Sequence, residues 1–217
     1  MPAFDSQPLQ LSLWVALGAL VLCFPLGVLA ARAMSGRHFP FKDLLEGLLL
    51  LPLVLPPVVT GFALLVVLGK RGPLGDLRLL FTPWAAVLAS AIVAFPLVYQ
   101  SARAAFAARG DELEMVARCL GASKLRAFWT IALPLAWPGL AAGAVLAFAR
   151  ALGEFGATVM VAGNVAGKTL TAPVAIYFAA NDGDMTSAGV YAAVLGIFNL
   201  LFLIGLNVYR RRASNSR

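Results

Sequence analysis

The sequence is poor in the residues that make enzymes and soluble surfaces. Only 12% of its 217 residues are charged, with ten acids, one histidine and two cysteines. The lone His38 has no companion cluster of metal-ligand spacing, which leaves no readable metal centre. Cys23 lies in an apolar run and Cys119 in a charged segment, so the two thiols supply no disulfide framework. No nucleophile and base set or cofactor motif appears, and we expect neither catalytic residues nor a bound cofactor. Gly167-Lys168-Thr169 lacks the upstream glycine of a phosphate-binding loop at the required spacing. The first eight residues carry no basic n-region, which argues against a cleavable signal peptide.

What fills the chain is apolar: 61% of residues are hydrophobic, in several uncharged runs longer than twenty residues. A bilayer-crossing helix needs about 20 such residues, so this is an integral membrane protein, all-α, built as a polytopic transmembrane helical bundle. The whole chain, 1–217, reads as a single transmembrane domain in which membrane lipid is a constant partner. Its expected spans are 9–31, 47–69, 83–104, 135–162 and 188–209. The stretch 127–167 is apolar except for Arg150 and Glu154, and by length it holds either one kinked span or a hairpin of two.

Charge decides between them. With one span there, Arg32, Arg37, Lys42, Arg103, Arg109, Arg118, Lys124, Arg126, Arg210, Arg211, Arg212 and Arg217 share a face. The other face keeps Lys70, Arg71, Arg78 and Lys168. The positive-inside rule assigns the first set to the cytoplasm, giving five spans with the amino terminus outside and the carboxyl terminus cytoplasmic. The net charge of +7 is thereby explained by membrane orientation, without nucleic acid. Residues 170–181 are apolar but short, and on the outer side they read as a packed loop or an interfacial helix.

The segment 111–134 interrupts this pattern. Leu113, Val116, Ala117 and Leu120 recur at helical spacing, Gly121 intervenes, and Leu125, Phe128, Trp129 and Ala132 repeat the spacing. Two short amphipathic helices about a glycine are expected, with Glu114 and Arg118 paired across one turn. Asp111, Glu112 and Glu114 suit the positive end of the first helix dipole. Such a segment is a docking surface or an amphipathic hairpin lying on the membrane.

Glu114-Met115-Val116-Ala117-Arg118-Cys119-Leu120-Gly121-Ala122-Ser123, followed by Ile131-Ala132-Leu133-Pro134, resembles the EAA loop of ATP-binding-cassette importer permeases. That resemblance implies a type I ABC importer permease fold, with 111–134 as the cytoplasmic loop that couples to the ATPase. Glu112, Glu114, Val116, Ala117, Leu120, Gly121, Ala122 and Ser123 are the candidate coupling residues. The family's acid six residues before the glycine is Met115 here, while Glu114 lies seven before it, so the resemblance leaves open which carboxylate meets the ATPase. It implies two cytoplasmic ATP-binding subunits, a second copy of this chain and an extracytoplasmic binding protein, all in a bacterial or archaeal cytoplasmic membrane.

Within the spans, Pro52, Pro56 and Pro57 interrupt a helix, either as a tolerated kink or as a break facing a cavity. Arg150 and Glu154 stand one turn apart at mid-span, where an isolated charge costs roughly 2.5–3.5 kcal/mol on insertion scales. They are either a mutually neutralised pair or a polar point on a transport path, or both. The segment 51–59 and the words Phe148-Ala149-Arg150, Gly153-Glu154 and Thr158, with Asn164 and Gly167-Lys168-Thr169 beyond, are similar to molybdate permeases. The resemblance implies import of a tetrahedral oxyanion, molybdate or tungstate, along a pathway including Pro52, Pro56, Pro57, Arg150, Glu154 and Thr158, with molybdate bound by the delivery protein. Sulfate and thiosulfate permeases share part of these words and remain the nearest alternative. An ion-coupled secondary transporter using Arg150 and Glu154 is the alternative from another class.

Overall fold

The computed structural model describes residues 5–35 and 39–215, with side chains left out of the description for 109–112 and 206–215. Every regular element among the described residues is helical. Four helices are long and apolar enough to cross a bilayer: α1 (Gln7–Met34), the membrane part of α4 (Pro83–Cys119), the run Lys124–Leu152 and α9 (Met185–Asn215). The helices α2 (Lys42–Val54) and α3 (Pro57–Leu68), bent by 111° from one another, are together apolar enough for a fifth when counted as one span.

Contacts between distant residues define two ends. At one, the Phe81 N–H donates to the Val161 carbonyl, the Tyr191 hydroxyl donates to the Asp5 carbonyl, and Ser12 Oγ accepts the Ala172 N–H at 2.7 Å. Trp14 and Trp84 meet edge to face there, at 5.1 Å between centroids, as suits a membrane interface. At the other end Arg32 reaches Glu114 across 82 residues of sequence. The described residues therefore run from one end of the bundle to the other, through the four long helices and the bent α2 and α3 pair.

Small residues set the packing. Glycines let membrane helices approach until backbones nearly touch. A Cβ placed on Gly27 would lie 2.7 Å from Val98 Cγ1, and one on Gly139 or Gly143 would strike Ala105 or Ser101 of α4 at 2.6 or 2.5 Å. Thus α4 is the central helix, with α1 on one side and α6 (Leu133–Leu152) on another. The Gly139 and Gly143 pair serves this internal contact.

Two boundaries differ from the sequence reading, and the break it allowed for in the second span is present. The third helix does not stop near 104 but continues to Cys119, because its backbone meets no breaker where polarity rises at Arg103. The second span is two helices, since Pro56 and Pro57 cannot donate to the preceding turn. The fourth begins at Lys124 and breaks after Leu152, resuming as α7 (Gly156–Val161), which reaches the first end at Val161. The apolar segment after Thr171 forms α8 (Ala172–Asn181), too short to cross.

Candidate functional site

At the second end, α4 extends past its membrane part and closes on Gly121. The Ala122 N–H donates to the Ala117 carbonyl at 3.0 Å and the Gly121 N–H to the Arg118 carbonyl at 3.1 Å, with Gly121 at φ +93°. This is a Schellman cap, and its left-handed residue is favourable only for glycine, with asparagine next. Ser123 then starts α5 (Lys124–Ala127) by accepting the Arg126 N–H on its hydroxyl. A π turn at Phe128–Ala132 joins α5 to α6, and such turns recur at functional sites.

Both halves of this segment expose large apolar groups, while Ala127 and Ala132 are buried. Leu113, Met115, Val116, Leu125 and Trp129 are exposed, and Leu120 is 84% exposed. Glu114 points the other way and is only 5% exposed. Arg32 Nη2 donates to both of its carboxylate oxygens at 2.6 Å, and the Arg32 guanidinium carbon lies 5.5 Å from the Phe128 ring centre. The expected Glu114 to Arg118 pairing is therefore replaced by a tertiary one, because Glu114 faces the bundle while Arg118 is exposed. An acid inside and leucines outside reverse the arrangement of a helix that packs its apolar stripe on its own protein.

Between the two ends the two broken spans touch. A Cβ on Gly156 would lie 3.0 Å from Pro57 Cβ, and one on Gly61 would lie 2.7 Å from Ala157 Cα, so α3 and α7 approach at backbone distance. Arg150 Nη1 donates to Glu154 Oε2 at 2.7 Å, and Glu154 Oε1 accepts the Ala157 N–H at 2.8 Å. Glu154 thus ties the end of α6 to the first turn of α7. Its side chain is 1% exposed, whereas a third of the Arg150 side chain stays accessible.

A family model, that of the inner membrane component of binding-protein-dependent transport systems, matches residues 24–215. The chain belongs to this family. It is 45% identical over 203 residues to YvgM of Bacillus subtilis, covering 90% of this chain and 89% of that one. It is 39% identical over 218 residues to the molybdenum transport system permease protein ModB of Escherichia coli K12, covering 97% and 95%. A crystal structure of a bacterial ABC transporter involved in the import of the polysaccharide alginate superposes with a TM-score of 0.77 at 17% identity, over 98% of this chain and 80% of that one. The fold is therefore that of type I ABC importer permeases, and the chain is a multi-pass inner-membrane transport subunit.

The candidate residues of this permease fall into distinct settings. Val116, Leu120, Gly121 and Ser123 are exposed around the turn, Ala117 and Ala122 are half-buried, and Glu114 is internal. Glu112 lies outside the residues whose side chains are described. Pro52 and Pro57 are half-buried and Pro56 is exposed at the bend, beside the Arg150 and Glu154 break. Thr158 is wholly buried, with its hydroxyl unpartnered. Sequence reasoning missed Arg32, Phe128 and Gly61, which carry no local signal beyond type, and a second tertiary ion pair between Arg103 and Glu46 at 2.6 Å. A charge at the edge of an apolar run, as at Arg32, Glu46 and Arg103, was the available hint.

Proposed function

We propose that this chain is the membrane subunit of an ATP-driven importer that moves a tetrahedral oxyanion, molybdate or tungstate, into the cytoplasm. The observation that carries the energetic half is the outward-turned apolar surface of Leu113, Val116 and Leu120, on the part of α4 beyond its membrane run, at the Gly121 turn. Exposed apolar groups in that number on a polar end of a membrane protein mark a protein contact. Their partner in this reading is a cytoplasmic ATPase subunit, one for each of two permease copies, with an extracytoplasmic binding protein delivering the anion to the opposite end. The basic residues gathered at the end of Arg32 and Lys124 support that end as cytoplasmic, with the amino terminus outside and the carboxyl terminus inside.

The substrate half rests on the relatives described as molybdenum permeases and on Arg150. A guanidinium at mid-membrane lowers the barrier for a dianion, while the fixed Glu154 carboxylate keeps the anion from being held too tightly to leave. Glu154 positions Arg150 and α7; Arg150 meets the anion. Pro52, Pro56 and Pro57 give the second span a bend that opens or closes against α7 as the bundle rocks. Thr158 joins the pathway only when α3 and α7 part.

The test is reconstitution of the purified chain with its ATPase and binding protein in liposomes, measuring ATP-driven uptake of molybdate, tungstate and sulfate in competition. Molybdate and tungstate uptake with sulfate excluded is expected. Sulfate transport without molybdate transport would sink the substrate assignment, and uptake without ATP would favour an ion-coupled carrier.

A further inference from the structure

One guanidinium touches both sides of the Gly121 turn. Arg32 sits in the last turn of α1, grips Glu114 on the descending side of the docking segment and lies over Phe128 on the returning side. Phe128 also stacks in a tilted pair with Phe106 of α4, at 6.1 Å, and edge to face with the exposed Trp129, at 5.4 Å. Without Arg32, the described contacts between α1 and the turn itself would lose their only ion pair.

This placement is costly for stability alone. A buried carboxylate and guanidinium often contribute no more than apolar residues of the same volume, because both must leave water. Here the neighbours Leu113, Met115 and Val116 are apolar and face outward, while the acid is turned inward. Local violations of this kind gather at functional sites. The first span is also the route to the bend: the chain leaving α1 at Ser35 enters α2 at Lys42, and α2 is tied back to α4 by Glu46 and Arg103.

We propose that Arg32 is a positioning residue for transport: through Glu114 and Phe128 it locks α1 to the docking segment, so that movement of the docked ATPases is delivered to the first span and from there to the bent second span. Glu114 acts here as an internal strut and not as a contact of the ATPase. This rests on the docking reading above but makes a separate claim about where the motion goes.

The test uses the full transporter in liposomes, with Arg32→Gln, Glu114→Gln and the exchanged pair Arg32→Glu with Glu114→Arg. Each single variant is expected to retain the ATPase on co-purification and to hydrolyse ATP, while uptake per ATP falls about tenfold; the exchanged pair is expected to recover most of that loss, the signature of a direct pairwise coupling. Spin labels at Ser35 and Leu125 are expected to keep one separation in nucleotide-free and ATP-trapped wild type and to diverge in the single variants. Unchanged uptake per ATP in both singles overturns the proposal. So does loss of ATPase co-purification in Glu114→Gln alone, which makes Glu114 a partner contact. If the singles fail to insert, the exchanged pair decides: restored insertion without restored coupling also overturns it. Failure of the wild-type chain to retain any ATPase would refute the docking reading instead, and the label separation in the lone chain, wild type against single variants, would still report whether the strut exists.

Discussion

Gly156 lies against Pro57, so the interruption of the fourth span and the interruption of the second meet at one depth. Neither break is isolated: each abuts the start of the other's second half, and Arg150 with Glu154 stands one turn away. The contact gives the bundle a tight seam between α3 and α7. It also makes the seam sensitive to one methyl group.

A valine at Gly61 should therefore wedge the seam. Overpacking of a tight contact costs about 1–3 kcal/mol, and Gly61→Val is expected to lower the thermal midpoint in detergent and reduce uptake, with ATPase co-purification unaffected. An unchanged midpoint would mean that α3 does not rest on α7 as described.

Glu154 does two jobs that substitution can separate. Glu154→Gln keeps an oxygen for the Ala157 N–H but removes the charge, while Glu154→Ala removes both and leaves Arg150 without its partner. Breaking a buried pair costs about 3–5 kcal/mol, so the alanine variant is expected to be the less stable of the two by thermal unfolding. Arg150→Ala should abolish anion uptake with the chain still inserted; uptake retained in that variant would reduce Arg150 to a structural role.

The left-handed conformation of Gly121 costs a side-chain-bearing residue roughly 1–2 kcal/mol. Gly121→Val is expected to misdirect the docking segment and uncouple ATP hydrolysis from uptake, with membrane insertion intact, and Gly121→Asn to be milder. Comparing uptake per ATP in the two variants checks this; normal coupling with valine would remove the turn from the mechanism.

If the outward apolar face receives the ATPase, Leu120→Glu and Trp129→Glu should each weaken its retention. Loss of an apolar anchor of this size is worth about 2 kcal/mol or more at the centre of an interface. Quantitative co-purification is the measurement, and full retention in both variants would put the partner elsewhere.

Orientation can be read from the native thiols. Cys119 is exposed beside the docking turn and Cys23 is buried. A membrane-impermeant maleimide should label the wild-type chain in inside-out vesicles and not in intact cells, and a cysteine introduced at Asp182 should show the reverse. Labelling of Cys119 from outside would invert the topology.

The sequence by itself determined the class, an all-helical membrane subunit, and the position of the turn at Gly121. Those follow from quantities that local chemistry carries: apolar run length, and a glycine followed by a capping serine. It also placed Arg150 beside Glu154, where the four-residue spacing was kept because no other described charge reaches Glu154. It did not give the partner of Glu114, which four residues of spacing assigned to Arg118 and the bundle gave to Arg32, 82 residues away. Nor did it give the contact of Gly61 with Ala157 or the outward direction of Leu113 and Leu120. A helical period says which residues share a face but not what that face meets, and only the packing of α1 and α6 on α4 decided which side of the docking segment was left bare.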